Sequence, residues 1–140
     1  MTPNVEEIFM NQTHWQESLD RQQEVFSGIF GDARIGILPK PQIESEDGKV
    51  LVWEVRSGKM SAGYRPFTGF RNAEVDMLFV ADEQGLVSLY ENGDKFKHMK
   101  NLIREGSILF YVFKTKNELL DLGYEDFLDA LGLAFMGGCR

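Results

Sequence analysis

The segment Arg56 to Arg71 (RSGKMSAGYRPFTGFR) holds four basic side chains, Arg56, Lys59, Arg65 and Arg71, and no acid. Tyr64, Phe67 and Phe70 are interleaved with them, as are Gly58, Gly63 and Gly69. Arginine forks match the geometry of phosphates and carboxylates. Aromatic rings stack on a base or another planar group, and glycine lets a ligand approach the backbone closely. The chemistry this suits is non-covalent recognition, either of an anionic, partly aromatic ligand or of a protein surface, where Tyr and Arg are favoured anchors. The same composition also suits a hairpin whose aromatics enter the core while its arginines meet Glu74, Asp76, Asp82 and Glu83.

Reaction chemistry finds less support. Gly58-Lys59 invites comparison with a P-loop, but Trp53 stands where the first glycine belongs and Met60 where the hydroxyl residue must follow lysine. Two histidines, His14 and His98, and one cysteine, Cys139, cannot supply a usual structural zinc set. Cys139 sits beyond Gly137-Gly138 near the chain end, with no base to activate it. Serines 57, 61, 88 and 107 lie in no nucleophile-elbow context. The acidic groups Glu44/Glu46/Asp47 and Asp82/Glu83 flank turn glycines, and Asp126/Asp129 fall on the polar side of an amphipathic stretch; solvation accounts for them. The residues point to binding rather than catalysis, with no metal and no cofactor expected.

The chain has 140 residues and a net charge of -7, arranged in blocks. Residues 56–71 carry +4, and residues 94–116 carry six bases against two acids. The intervening residues 72–93 hold five acids and no base. Two basic segments in an acidic chain could face an anionic partner, or could pair with the chain's own acids. No apolar run approaches the ~20 residues that a membrane span needs. The start, MTPNVEEIFMNQ, has acids where a signal peptide is basic and then apolar. A single cysteine allows no internal disulfide. A cytoplasmic protein with no membrane partner is therefore expected.

The elements that must position these groups follow from periodicity. Ile8, Phe9, Trp15, Leu19 and Phe26 form a helical stripe over 4–27, with Asn4 as its cap. Residues 32–42 read as a short edge strand or an irregular crossing segment, because Pro39 and Pro41 cannot sit in a central strand. Asp47-Gly48 is a turn into the strand KVLVWEVR, Ser57–Lys59 turns the chain back, and Arg65–Gly69 turns it again. Ala73–Ala81 and Leu86–Tyr90 read as strands joined by the turn at Asp82–Gly85. Phe96, Met99 and Ile103 predict a helix ended by Gly106, and ILFYVF (108–113) reads as the central, doubly buried strand. Thr115 and Glu118 form a capping box before a terminal helical region broken near Gly123. The expected fold is a single α+β domain: an N-terminal helix, an antiparallel meander of four or five strands, then helix, strand and helix.

One resemblance attaches to the central residues. Gly63-Tyr64-Arg65-Pro66, with Arg56 seven residues earlier and Phe70-Arg71 after it, resembles the GYRP region in the C-terminal β-barrel domain of elongation factor Tu. Asn92-Gly93-Asp94 is similar to a later Pro-Gly-Asp turn of that barrel. The likeness implies barrel strands over a minority of the chain, and the helices expected elsewhere depart from it. It brings no function. The residues themselves lead to a small non-enzymatic protein-binding domain of inhibitor, immunity or accessory-subunit type. Its contact surface would be Arg56, Lys59, Tyr64, Arg65, Phe67 and Arg71. The alternative is a module for a nucleotide or single-stranded nucleic acid, using both basic segments.

Overall fold

The computed structural model describes residues 5–26, 28, 29, 31, 33–43, 48–56, 58–69, 74–91 and 95–130. The chain runs α1 (Val5–Phe9), α2 (Gln12–Arg21), a 3-10 turn (Gln23–Phe26), β1 (Arg34–Pro39), α3 (Lys40–Ile43), β2 (Lys49–Arg56) and β3 (Lys59–Pro66). It continues through β4 (Met77–Ala81), α4 (Glu83–Glu91), α5 (Lys95–Glu105), β5 (Ile108–Val112), α6 (Lys116–Asp121) and α7 (Glu125–Ala130). The α+β class is as expected. The topology is not: the strands lie in the order β3-β2-β1-β4-β5, and β1 pairs parallel with β4, so the sheet is not a simple meander. It is an open five-stranded sheet rather than the barrel implied by the resemblance at Gly63–Pro66.

Strand alternation builds two cores. Ile35, Ile37, Leu51, Trp53, Met77 and Phe79 project toward the helices and pack with Phe9, Trp15, Leu19, Leu86, Met99 and Phe127. Leu38, Val50, Val52, Leu78 and Val80 project the other way and pack with Phe67 and Val75.

Several expected elements are corrected. The single helix expected over 4–27 breaks at Met10–Asn11. Trp15 Nε1 donates to the Ile8 and Phe9 carbonyls at 3.1 and 3.2 Å, and the Tyr64 hydroxyl donates to Phe9 O at 2.6 Å. These bonds satisfy carbonyls that an ending helix leaves open, and Asn11 then caps α2 by accepting from His14 N at 3.1 Å. The cap expected at Asn4 lies outside the described residues. The segment read as an edge strand is β1, flanked by β2 and β4. Its prolines do not interrupt it, because Pro39 closes the strand and Pro41 falls in the first turn of α3. Leu86–Tyr90 belongs to α4 rather than to a strand. Asp82 starts that helix by accepting from Gly85 N at 2.7 Å, and a Cβ on Gly85 would lie 2.7 Å from Ser107 O, so only glycine allows the approach of the α5–β5 joint.

The two sheet edges are treated differently. Along β3, helix glutamines bond the strand backbone. Gln12 donates to Ala62 O at 2.8 Å, Gln16 donates to Met60 O and accepts from Ala62 N, and Gln23 accepts from Met60 N. That amide row covers the edge in a manner that discourages added strands. The opposite edge is β5, the run read from sequence as central and doubly buried. Among the described residues it pairs with β4 alone, and only Ile108 is buried, with Phe110 half-buried and Leu109, Tyr111 and Val112 exposed. Among the described residues no helix is long and apolar enough to cross a membrane.

Candidate functional site

The residues read as a contact surface are distributed over both faces of the β2–β3 hairpin. Tyr64 faces the helices, with its ring edge against Phe9 at 5.4 Å between centroids. Arg65 is on the opposite face. It binds Glu54 Oε2 through Nη2 at 2.8 Å and lies 4.0 Å from Glu74 Oε2. Arg56 and Arg34 approach the same Glu54 carboxylate at 3.5 and 4.0 Å. Lys59 lies 3.8 Å from Asp20 of α2, and Phe67 is buried in the second core. Arg71 lies outside the described residues. The strand continues to Pro66, opposite Lys49, so the turn expected from Arg65 begins only after it. An open recess of about 310 Å³ does touch Tyr64, Arg65 and Phe67, but their polar atoms and rings are those already engaged inside the fold.

This arrangement corrects the functional expectation. Arg56 and Arg65 meet at Glu54, Lys59 reaches Asp20, and Tyr64 and Phe67 pack inside the fold, so among the described residues the hairpin does not present the joint aromatic-basic surface on which a protein-binding role, or the nucleotide and nucleic-acid alternative, depended. Burial pushes the Tyr64 hydroxyl up to about 12 from the ordinary 10.0. The folded chain thus keeps a proton that the unfolded chain releases. The associated stability is complete below pH 10 and is lost as the pH rises toward about 12. Urea midpoints measured below and within that range should fall in the wild type, and Tyr64→Phe should fall less.

The second basic segment has a different fate. Lys100 and Arg104 on α5, and Lys114 just after β5, are exposed. Among the described residues no carboxylate sits at ion-pair distance from any of the three. Lys114 also rims an open cleft of about 550 Å³ with Arg34, Glu74, Asp76, Glu118 and Asp121. At its base the buried Asp76 carboxylate accepts from the Tyr124 hydroxyl at 2.6 Å and from Arg34 N at 2.9 Å. Burial, and then the Asp76 carboxylate, raise the Tyr124 hydroxyl well above the ordinary tyrosine range. Glu118 is held below the usual carboxylate range by its bonds to the Thr115 backbone and hydroxyl, the capping box read from sequence.

The feature that sequence reasoning missed lies beside this cleft. Leu109, Tyr111, Val112 and Phe113 are each at least 40% exposed, whereas the β4 residues opposite Leu109 and Tyr111, Val80 and Leu78, are fully buried. Leu109 and Tyr111 therefore extend the second core's apolar plane out into solvent. Phe113 N donates to Asp76 O at 2.9 Å, which fixes the end of this shelf against the cleft. Leaving apolar area in water forgoes about 25 cal/mol per Å², and contiguous exposed apolar patches mark binding sites in soluble proteins. The apolar run was the signal; its place at the sheet edge was not visible.

No protein-family model and no curated protein sequence matches the chain. Solved structures similar to it include the following two. One is described as a UbiJ-SCP2 ubiquinone synthesis protein, with 12% identity, a TM-score of 0.46, and coverage of 92% of this chain and 93% of that one. The other is a conserved hypothetical protein of Thermus thermophilus, described as "possibly sterol carrier protein", with 16% identity, a TM-score of 0.47, and coverage of 94% and 92%. Likeness at this level carries no function to this chain, and the residues of β5 must carry the argument.

Proposed function

We propose that this chain is a single-domain cytoplasmic lipid-binding protein that holds an apolar ligand against the exposed side of β5. The observation that carries this reading is the continuity of the buried plane Leu78–Val80 with the exposed Leu109, Tyr111 and Phe113. The three side chains span about 14 Å along the strand, a length suited to an acyl chain or a fused-ring lipid. A ligand laid there would bury its own apolar surface against two or three large side chains and dry the shelf.

The reading is tested by titrating the chain with a fluorescent fatty-acid analogue and a fluorescent sterol. Wild type should bind at least one of them. The triple variant Leu109→Ser, Tyr111→Ser, Phe113→Ser should bind at least about tenfold more weakly, since each large side chain contributes ~1.5–3 kcal/mol when buried. Because these side chains are exposed, the thermal midpoint should stay near that of wild type. Unchanged affinity in the triple variant would overturn the reading, as would a wild type that binds neither probe.

A further inference from the structure

We propose that the β5 edge, together with the basic side of α5, docks on an anionic lipid bilayer. The proposal rests on the lipid-binding reading and adds the surface from which the ligand comes. Its first support is the contrast between the two basic segments. Arg56, Lys59 and Arg65 each have a carboxylate at ion-pair distance, whereas among the described residues Lys100, Arg104 and Lys114 have none. Among the described residues Lys100 and Arg104 are exposed with no ion pair, and Lys114, exposed as well, acts on the Glu118 carboxylate only from beyond ion-pair distance, in a chain whose net charge is -7.

The second support is where those cations lie. α5 joins β5 through a tight turn in which Gly106 N donates to Ile103 O and Ser107 N to Leu102 O, so Arg104 sits immediately before the exposed apolar strand. Lys100 lies one helical turn earlier on α5, and Lys114 directly follows Phe113. Cations therefore bracket Leu109, Tyr111, Val112 and Phe113. Acids are present too: Glu105 is exposed beside Arg104, and Glu118 lies beyond Lys114, though its carboxylate is engaged with Thr115.

Leu109 and Tyr111 continue the plane of Val80 and Leu78, whereas α5 packs through Met99 and Leu102 on the other face, so the cations flank the β5 edge along the chain. An exposed apolar edge with cations before and after it matches the interface of a bilayer carrying anionic headgroups. Each Lys or Arg near such a surface contributes on the order of fivefold in binding, and the apolar residues can enter the headgroup boundary. A nucleic acid would use the cations but give the apolar strand no partner. The negative remainder of the chain would be repelled by the same bilayer, so docking would be oriented with β5 downward. A lipid leaving the shelf would then enter hydrocarbon without crossing water.

Flotation of the full chain with phosphatidylcholine vesicles, with and without phosphatidylglycerol, tests this. Binding should be at least about tenfold stronger with phosphatidylglycerol and should weaken as salt is raised. The double variant Lys100→Glu, Arg104→Glu should lose at least about tenfold in vesicle binding while still binding the soluble fluorescent probe. Equal binding to both vesicle types would overturn the proposal, as would an unaffected double variant or equally tight binding to a single-stranded oligonucleotide. Loss of probe binding with vesicle binding intact would instead remove the carrier reading and leave docking standing.

Discussion

Gly123→Ala is expected to destabilise the protein by at least about 3 kcal/mol, through overpacking combined with a left-handed backbone position. Gly123 has φ 83° and ends α6 in a Schellman arrangement: its N–H donates to Leu120 O, and Tyr124 N–H donates to Leu119 O. A Cβ at this position would overlap the Gly28 carbonyl, and backbone cannot rotate out of the way as a side chain could. Urea unfolding should show a lower midpoint with an unchanged slope, and the thermal midpoint should fall by roughly 10 °C. Gly123→Asn separates the two causes, since asparagine tolerates positive φ but carries the same Cβ. It should be nearly as destabilising as alanine. A loss below about 1 kcal/mol in Gly123→Ala would mean that the two backbones do not meet.

Asp76→Ala is expected to cost about 2 kcal/mol, because it leaves the Arg34 amide without its acceptor and takes from the Tyr124 hydroxyl its short bond, leaving only the Arg34 carbonyl at 3.2 Å. Asp76 also ties three strands together. Its N–H donates to Arg34 O at the start of β1, its own chain leads into β4, and its carbonyl accepts from Phe113 N at the end of β5. Tyr124→Phe removes only the donor and should cost about 1–2 kcal/mol. Asp76→Asn keeps an acceptor for Tyr124 or Arg34 and should recover a substantial part of the loss. In the double variant Asp76→Ala, Tyr124→Phe the cost should fall short of the sum of the two single costs, because the bond is shared. Additive costs would show that the two groups act independently. Because Phe113 N bonds the Asp76 backbone carbonyl, which alanine keeps, both Asp76→Ala and Tyr124→Phe should leave probe binding nearly unchanged.

Local features were legible in the amino-acid order, and non-local ones were not. The β2–β3 hairpin, the capping box at Thr115 and Glu118, the stop of α5 at Gly106 and the break near Gly123 depend on residues a few positions apart. The sheet order depends on distant pairings, above all the parallel match of Ile35 with Met77, which no local pattern signals. That is why β1, followed by prolines, read as an edge and β5, continuously apolar, read as the centre. Leu86–Tyr90 misled for a related reason, since Asp82–Gly85 resembles a hairpin turn until Ser107 is known to press on Gly85. The candidate site followed the same rule. The composition of Arg56–Arg71 is unusual, but Arg65 is answered by Glu54, one strand away, and by Glu74, and Lys59 by Asp20 on α2. The apolar run at β5 is plain in the sequence, but among the described residues the strand has one neighbour rather than two, so its outer side faces solvent instead of a core.

The central claim is that a lipid lies on β5. Photo-crosslinking with a diazirine-bearing fatty acid or sterol, followed by peptide mass spectrometry, tests this directly. The expected adducts fall within residues 107–113, are competed by the unlabelled lipid, and disappear in the Leu109→Ser, Tyr111→Ser, Phe113→Ser variant. Competable adducts confined to the Arg56–Pro66 hairpin, or no competable adduct at all, would contradict the account.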